Sequence, residues 1–103
     1  MVRVYIVNDS GHDFNQALEY SDAPTSKQAF VFLSKGTINV FHVDRVKAQM
    51  KSKLDSFCQD DILLLCGAVA LNAIAVKLLS EKFKWFHVLI FDGRTRKYTK
   101  REI

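Results

Sequence analysis

The chain has 103 residues, 49% of them hydrophobic and 25% charged, with four Gly and one Pro. That composition fits one folded domain over residues 1–103 and excludes a disordered chain. The formal charge of +4 favours anionic partners slightly and also serves solubility. Cys58 and Cys66 are too few for a disulfide framework, and no Cys-x-x-Cys pair suggests zinc or redox chemistry.

Residues 2–8, Val-Arg-Val-Tyr-Ile-Val-Asn, are β-branched and aromatic in the pattern of a buried strand. The N-terminus enters this run at once, without signal or transit character, so the chain reads as cytoplasmic. Turn formers follow at Asp9-Ser10-Gly11-His12-Asp13, where Ser10 or Asp13 can cap a short helix over residues 14–20. Residues 21–28, with Pro24, read as the long loop. Residues 29–33 and 37–41 read as two short strands around Ser34-Lys35-Gly36, a hairpin whose second arm can equally be an extended lead-in to the next helix.

From about Asp44, Val46, Met50, Leu54 and Phe57 fall at steps of three and four. This spacing predicts an amphipathic helix with Arg45, Lys47, Lys51 and Lys53 toward water. Residues 62–66 lack polar alternation, as a parallel strand buried on both faces does. A helix follows, on which Val69, Leu71, Ile74, Ala75, Leu78 and Leu79 cover most of the surface. Residues 87–91 form the next strand, and Asp92-Gly93 turns residues 94–103 back as an antiparallel edge strand rich in Lys and Arg. The longest apolar stretch, residues 62–76, is shorter than the roughly 18–20 residues a bilayer span requires. The order βα-ββ-αβαβ predicts a three-layer α/β/α domain with a mostly parallel, Rossmann-like sheet and an antiparallel C-terminal edge.

In open α/β sheets ligands bind beyond the carboxyl ends of parallel strands. This points to loop 8–13 and to Cys66-Gly67. Asp9, Ser10, His12 and Asp13 make this loop a candidate small-ligand or phosphate site, and Asp9, His12 and Asp13 are possible metal ligands. Loops of this composition more often only turn and cap, and neither a metal nor a cofactor is expected. Ser10 and His12 lie too close along the backbone for a nucleophile–base pair.

Cys66 stands before a helix N-terminus, where a thiol can be activated. A phosphatase-like Cys-x5-Arg loop would need arginine at position 72, where Asn72 stands. Gly67 has no glycine partners or lysine for a dinucleotide or Walker loop. A buried structural Cys66 is the plainer reading. Asn72 lies off the polar side of its helix and faces either a ligand or a backbone group. His42 and His87, alone in apolar surroundings, read as packed residues.

Arg94, Arg96, Lys97, Lys100 and Arg101 surround Tyr98 with no acid among residues 94–101. Such a set supplies phosphate contacts and base stacking, and Lys47, Lys51 and Lys53 can extend it. The plainer reading is a solvated edge strand. The run Asp61-Ile-Leu-Leu-Leu-Cys-Gly67, then Leu71-Asn72-Ala73-Ile74-Ala75, Leu89-Ile90-Phe91-Asp92 and Tyr98, resembles small α/β proteins of phages and other mobile elements over residues 60–101. The resemblance implies a small α/β fold and a viral or mobile-element accessory protein, and brings no activity, cofactor or site residue. The residues thus predict a non-enzymatic protein that binds a macromolecule: another protein, a second copy of itself, or nucleic acid. The alternative is a small enzyme or sensor that binds a nucleotide or phosphate ligand at Asp9, Ser10, His12, Asp13, Gly67 and Asn72.

Overall fold

A computed structural model describes residues 2–23, 27–39 and 41–103. Five strands form one sheet: β1 (Val4–Ile6), β2 (Phe30–Phe32), β3 (Ile62–Leu64), β4 (His87–Asp92) and β5 (Lys97–Glu102), in the order β2-β1-β3-β4-β5. β1 runs parallel to both β2 and β3, β3 parallel to β4, and β5 antiparallel to β4. The α-helices are α1 (Asp44–Leu54) and α2 (Val69–Ser80). The sheet is therefore mixed, mainly parallel, and part of a small α/β fold.

The period-two alternation of the central strands sorts their side chains between two apolar clusters. Tyr5, Val7 and Leu63 pack with Val46, Met50 and Leu54 of α1 and with Leu71, Ala75, Leu78 and Leu79 of α2. Val4, Ile6, Ile62 and Leu64 pack on the opposite side with Phe14 and Ala17. β1 and β3 are fully buried because both faces are covered, and this is why neither shows polar alternation. Both α-helices lie on one face. The other carries a 3-10 helix, Asn15–Tyr20, where the sequence predicted a short α-helix over residues 14–20. The side opposite the α-helices thus carries no α-helix among the described residues but a six-residue 3-10 segment. Only Ala17 and Leu18 of it are buried, too little apolar surface to hold a longer helix on the sheet.

The expected hairpin around Ser34-Lys35-Gly36 is replaced by a parallel arrangement. β2 pairs with β1 in parallel, and the chain then follows the loop after β1. Asp9 N–H donates to Ser34 O at 2.8 Å, Gly36 N–H donates to Asp9 O at 2.8 Å, and Lys35 bridges Asp9. Gly36 takes φ +68° at this bend. Residues 37–39 and 41 form no strand, as the lead-in reading expected, and Val40 lies outside the described residues. Of the loop predicted over residues 21–28, Pro24–Ser26 also lie outside them, while Lys27–Ala29 form a 3-10 turn.

Helix α1 begins and buries itself as its spacing predicts, with Val46, Met50 and Leu54 inward. On α2 the expectation fails at Val69, the first residue of the helix, which is 83% exposed. Buried Asp61 ties the core's entrance together. Its Oδ1 accepts from Arg3 N–H and its Oδ2 from Cys58 N–H, both at 2.8 Å. No described helix is long and apolar enough to cross a membrane.

Candidate functional site

The hairpin of β4 and β5 outgrows the sheet. β3 pairs with β4 only as far as Leu64–Leu89. β4 and β5 continue through Ile90–Thr99, Phe91–Tyr98 and Asp92–Lys97. At about 3.3 Å per residue these pairs form a two-stranded ribbon reaching about 10 Å past the last β3 partner. Its turn comprises residues 93–96, longer than the two-residue Asp-Gly turn the sequence suggests. Asp92 organises it: Oδ1 accepts Arg94 N–H at 2.9 Å and the main-chain oxygen accepts Arg96 N–H at 2.8 Å. The left-handed residue is Arg96, φ 57°, rather than Gly93.

Arg94, Arg96, Lys97, Lys100 and Arg101 are all exposed on this hairpin. Arg94 Nε lies 3.7 Å from Asp92 Oδ1, a loose pair that leaves its guanidinium facing water. The basic face of α1 does not extend this surface. α1 joins β2, at one edge, to β3, while β5 is the opposite edge. Lys53 Nζ moreover donates to Phe32 O at 2.6 Å on β2.

Tyr98 faces the 3-10 helix side, and its ring packs edge-on to Phe91 with centroids 5.2 Å apart. Its main-chain oxygen accepts the Tyr20 hydroxyl at 2.9 Å, pinning the root of the ribbon to the 3-10 helix. A cavity of about 410 Å³ opens there. Phe14, Leu64, Ile90, Phe91 and Tyr98 make its apolar wall, and His12, Asp13, Cys66 and Gly67 its polar side. Burial raises the Tyr98 phenol, and nearby Cys66 and Asp13 add to the effect. Burial likewise pushes the Cys66 thiol up, and its S–H donates to Asn8 O at 3.3 Å. Cys66 is thus a half-buried thiol whose burial disfavours the thiolate form.

The residues of loop 8–13 divide among several cavities. Ser10 lines one of about 310 Å³ with Asn8, Gly36, Thr37, Ala68 and Leu71. Asp9 lines another with His12 and Asp13, beside Phe30 and Phe32. Asp9 Oδ1 accepts Gly11 N–H at 3.2 Å and Asp13 Oδ1 accepts Asn15 N–H at 2.8 Å, so both carboxylates also shape the turn. Among the described residues no three His, Cys, Asp or Glu side chains gather closely enough to hold a metal ion.

Asn72 faces backbone groups. Its Oδ1 accepts Cys66 N–H at 3.0 Å, and its Nδ2 donates to Ala68 O at 3.0 Å and Gly67 O at 3.4 Å. It locks the turn that Gly67 makes at φ +78°. His12, Asp13, Cys66 and Gly67 therefore line one cavity with Tyr98, a residue the sequence placed in a different surface. Asp9, Ser10 and Asn72 do not line it: Asp9 borders His12 and Asp13 in a neighbouring cavity, and Asn72 holds the Cys66-Gly67 turn. Sequence reading missed Phe14 and Phe91. Pairing Asp92 with Lys97 would have placed Phe91 opposite Tyr98. His87 sits at the start of β4, its ring edge-on to Trp85 at 5.4 Å.

The family model for phage Pam3 gp32-like protein matches residues 2–103. No curated protein and no solved structure matches the chain. The resemblance to phage proteins read from residues 60–101 thus extends over nearly the whole sequence, and the chain belongs to the phage Pam3 gp32-like family.

Proposed function

We propose that this phage accessory protein works by binding nucleic acid through the β4–β5 ribbon, without chemistry of its own. One observation carries the reading: the basic residues Arg94, Arg96 and Lys97 cluster at the tip of a two-stranded ribbon that extends past the last β3 pair. A β-ribbon is narrow enough to enter a groove or lie along a strand, and exposed guanidinium and ammonium groups contact phosphates. Thr99, Lys100 and Arg101 continue the surface toward the body of the protein.

Fluorescence anisotropy with a labelled 12-mer oligonucleotide at low and rising salt tests this. Binding should weaken steeply with salt. Replacing Arg94, Arg96 and Lys97 by Gln should weaken it further and reduce the log–log salt slope by about 2–3. Oligonucleotide binding that stays undetectable at low salt removes the reading.

A second reading is a small phosphate ligand at the carboxyl ends of β1 and β3. The connection from β1 leads to β2 and that from β3 leads to β4, so the two leave in opposite directions, as at the ligand sites of Rossmann-like sheets. The cavity beside Ser10 favours it. Against it, the Asn8 and Asn72 amides already serve Gly36, Gly67 and Ala68 carbonyls. Nucleotides that shift the melting temperature of the native protein but not of a Ser10→Asp variant would favour this reading, and no shift at millimolar ligand would dismiss it.

A further inference from the structure

We propose that the cavity at the root of the ribbon receives an unstacked nucleobase, which makes the ligand a single strand rather than a duplex. The inference rests on the ribbon reading above and deepens it. The cavity and the basic tip belong to one hairpin: Phe91 and Tyr98 form its wall, and Arg94, Arg96 and Lys97 lie just beyond them in the chain. A strand whose phosphates follow the tip would present its bases toward these rings.

The lining selects a base over a phosphate. Phe91 and Tyr98 offer aromatic surface at the wall, and base–ring stacking needs only a π face, which every base supplies. Asp13, on the polar side, repels a phosphate but accepts an N–H from a base edge. Phe91 is half-exposed, 49% accessible, in the free protein. At about 410 Å³ the cavity lies within the range of about 300–1,000 Å³ that small-molecule sites occupy. A base within a duplex is stacked and paired, and must be taken out of the helix to enter.

Anisotropy titrations with three 12-mers separate the inference from the reading beneath it: single-stranded thymidylate, the same backbone with abasic sites, and a duplex. Thymidylate should bind about ten- to a hundredfold more tightly than the abasic strand, the range that loss of base–aromatic stacking produces. It should also bind more tightly than the duplex. Phe91→Leu keeps the wall apolar and should bring thymidylate down to the abasic level without changing abasic binding. Tyr98→Leu should do the same, and if it unfolds, the half-exposed Phe91 position carries the test. Equal binding of thymidylate and abasic strands, tighter binding of the duplex, or a Phe91→Leu protein that binds thymidylate as the native one does would overturn the base pocket while leaving the ribbon reading standing. No binding to any of the three would overturn both.

Discussion

Asp61 carries more of the structure than its place between a helix and a strand suggests. Each carboxylate oxygen accepts a backbone N–H, one from Arg3 and one from Cys58, in a position only 2% exposed. Asp61→Ala leaves both donors without their acceptor and should cost about 3 kcal/mol in urea unfolding; Asp61→Asn, which keeps one acceptor oxygen, should cost less. Gly67 is constrained twice, by φ +78° and by a Cβ position 3.1 Å from Asn8 Cβ. Gly67→Ala should therefore destabilise by about 1–3 kcal/mol in the same assay. Arg96 has the left-handed angle without the crowding expected of a core position. Arg96→Gly should change stability by between zero and about 1 kcal/mol in the favourable direction, relief of the backbone being offset by a more flexible unfolded chain. These residues differ in legibility. Asp61 and Gly67 stand in the sequence beside an apolar run, but their partners, Arg3 and Asn8, are far away along the chain. Nothing local announces Arg96, because the Asp-Gly before it points to a tighter turn.

At the scale of elements, amphipathic spacing was the reliable signal. The three-and-four spacing of Val46, Met50 and Leu54 predicts α1, and the unbroken apolar run predicts β3, because each depends mainly on which side chains must leave water. The supposed hairpin failed for the complementary reason. Residues 29–41 contain two strand-like runs around a glycine, and only β1, waiting as a parallel partner, decides that β2 pairs with it instead. The β5 edge has a testable consequence. A two-fold pairing of two β5 strands, centred on any residue from 98 to 101, sets basic residues against each other: Arg96 against Lys100, Lys97 against Arg101, Lys100 against itself, or Arg101 against itself. Like charges directly opposite oppose pairing. Light scattering after size exclusion should accordingly find no dimer formed through this edge, and Lys100→Thr with Arg101→Thr should increase self-association.

At the scale of the whole molecule, burial raises three weak acids among the described residues: Cys66 above its usual 9.0, and Tyr5 and Tyr98 above their usual 10.0. Each holds its proton more tightly folded than unfolded. Their contribution is intact below the unfolded values and is lost as pH rises through the folded ones, so stability should fall from about pH 9 upward. Thermal melts between pH 8 and 11 measure the decline, and Cys66→Ala should remove its earliest part. The same burial should protect Cys66 from iodoacetamide at pH 8 while exposed Cys58 is alkylated first, a difference peptide mass spectrometry resolves.

By itself the sequence determined the α/β class, the two amphipathic helices, the buried central strands and the basic C-terminal edge. These follow from local periodicity and from the free energy of removing apolar groups from water, both of which are written residue by residue. The tertiary structure alone decided that β2 lies parallel beside β1, that a 3-10 helix covers the second face, and that Tyr98 lines one cavity with His12, Asp13 and Cys66. Those outcomes depend on strand register and on which loops a crossover carries together. Such arrangements join residues as far apart as Asp13 and Tyr98, and no local pattern encodes them.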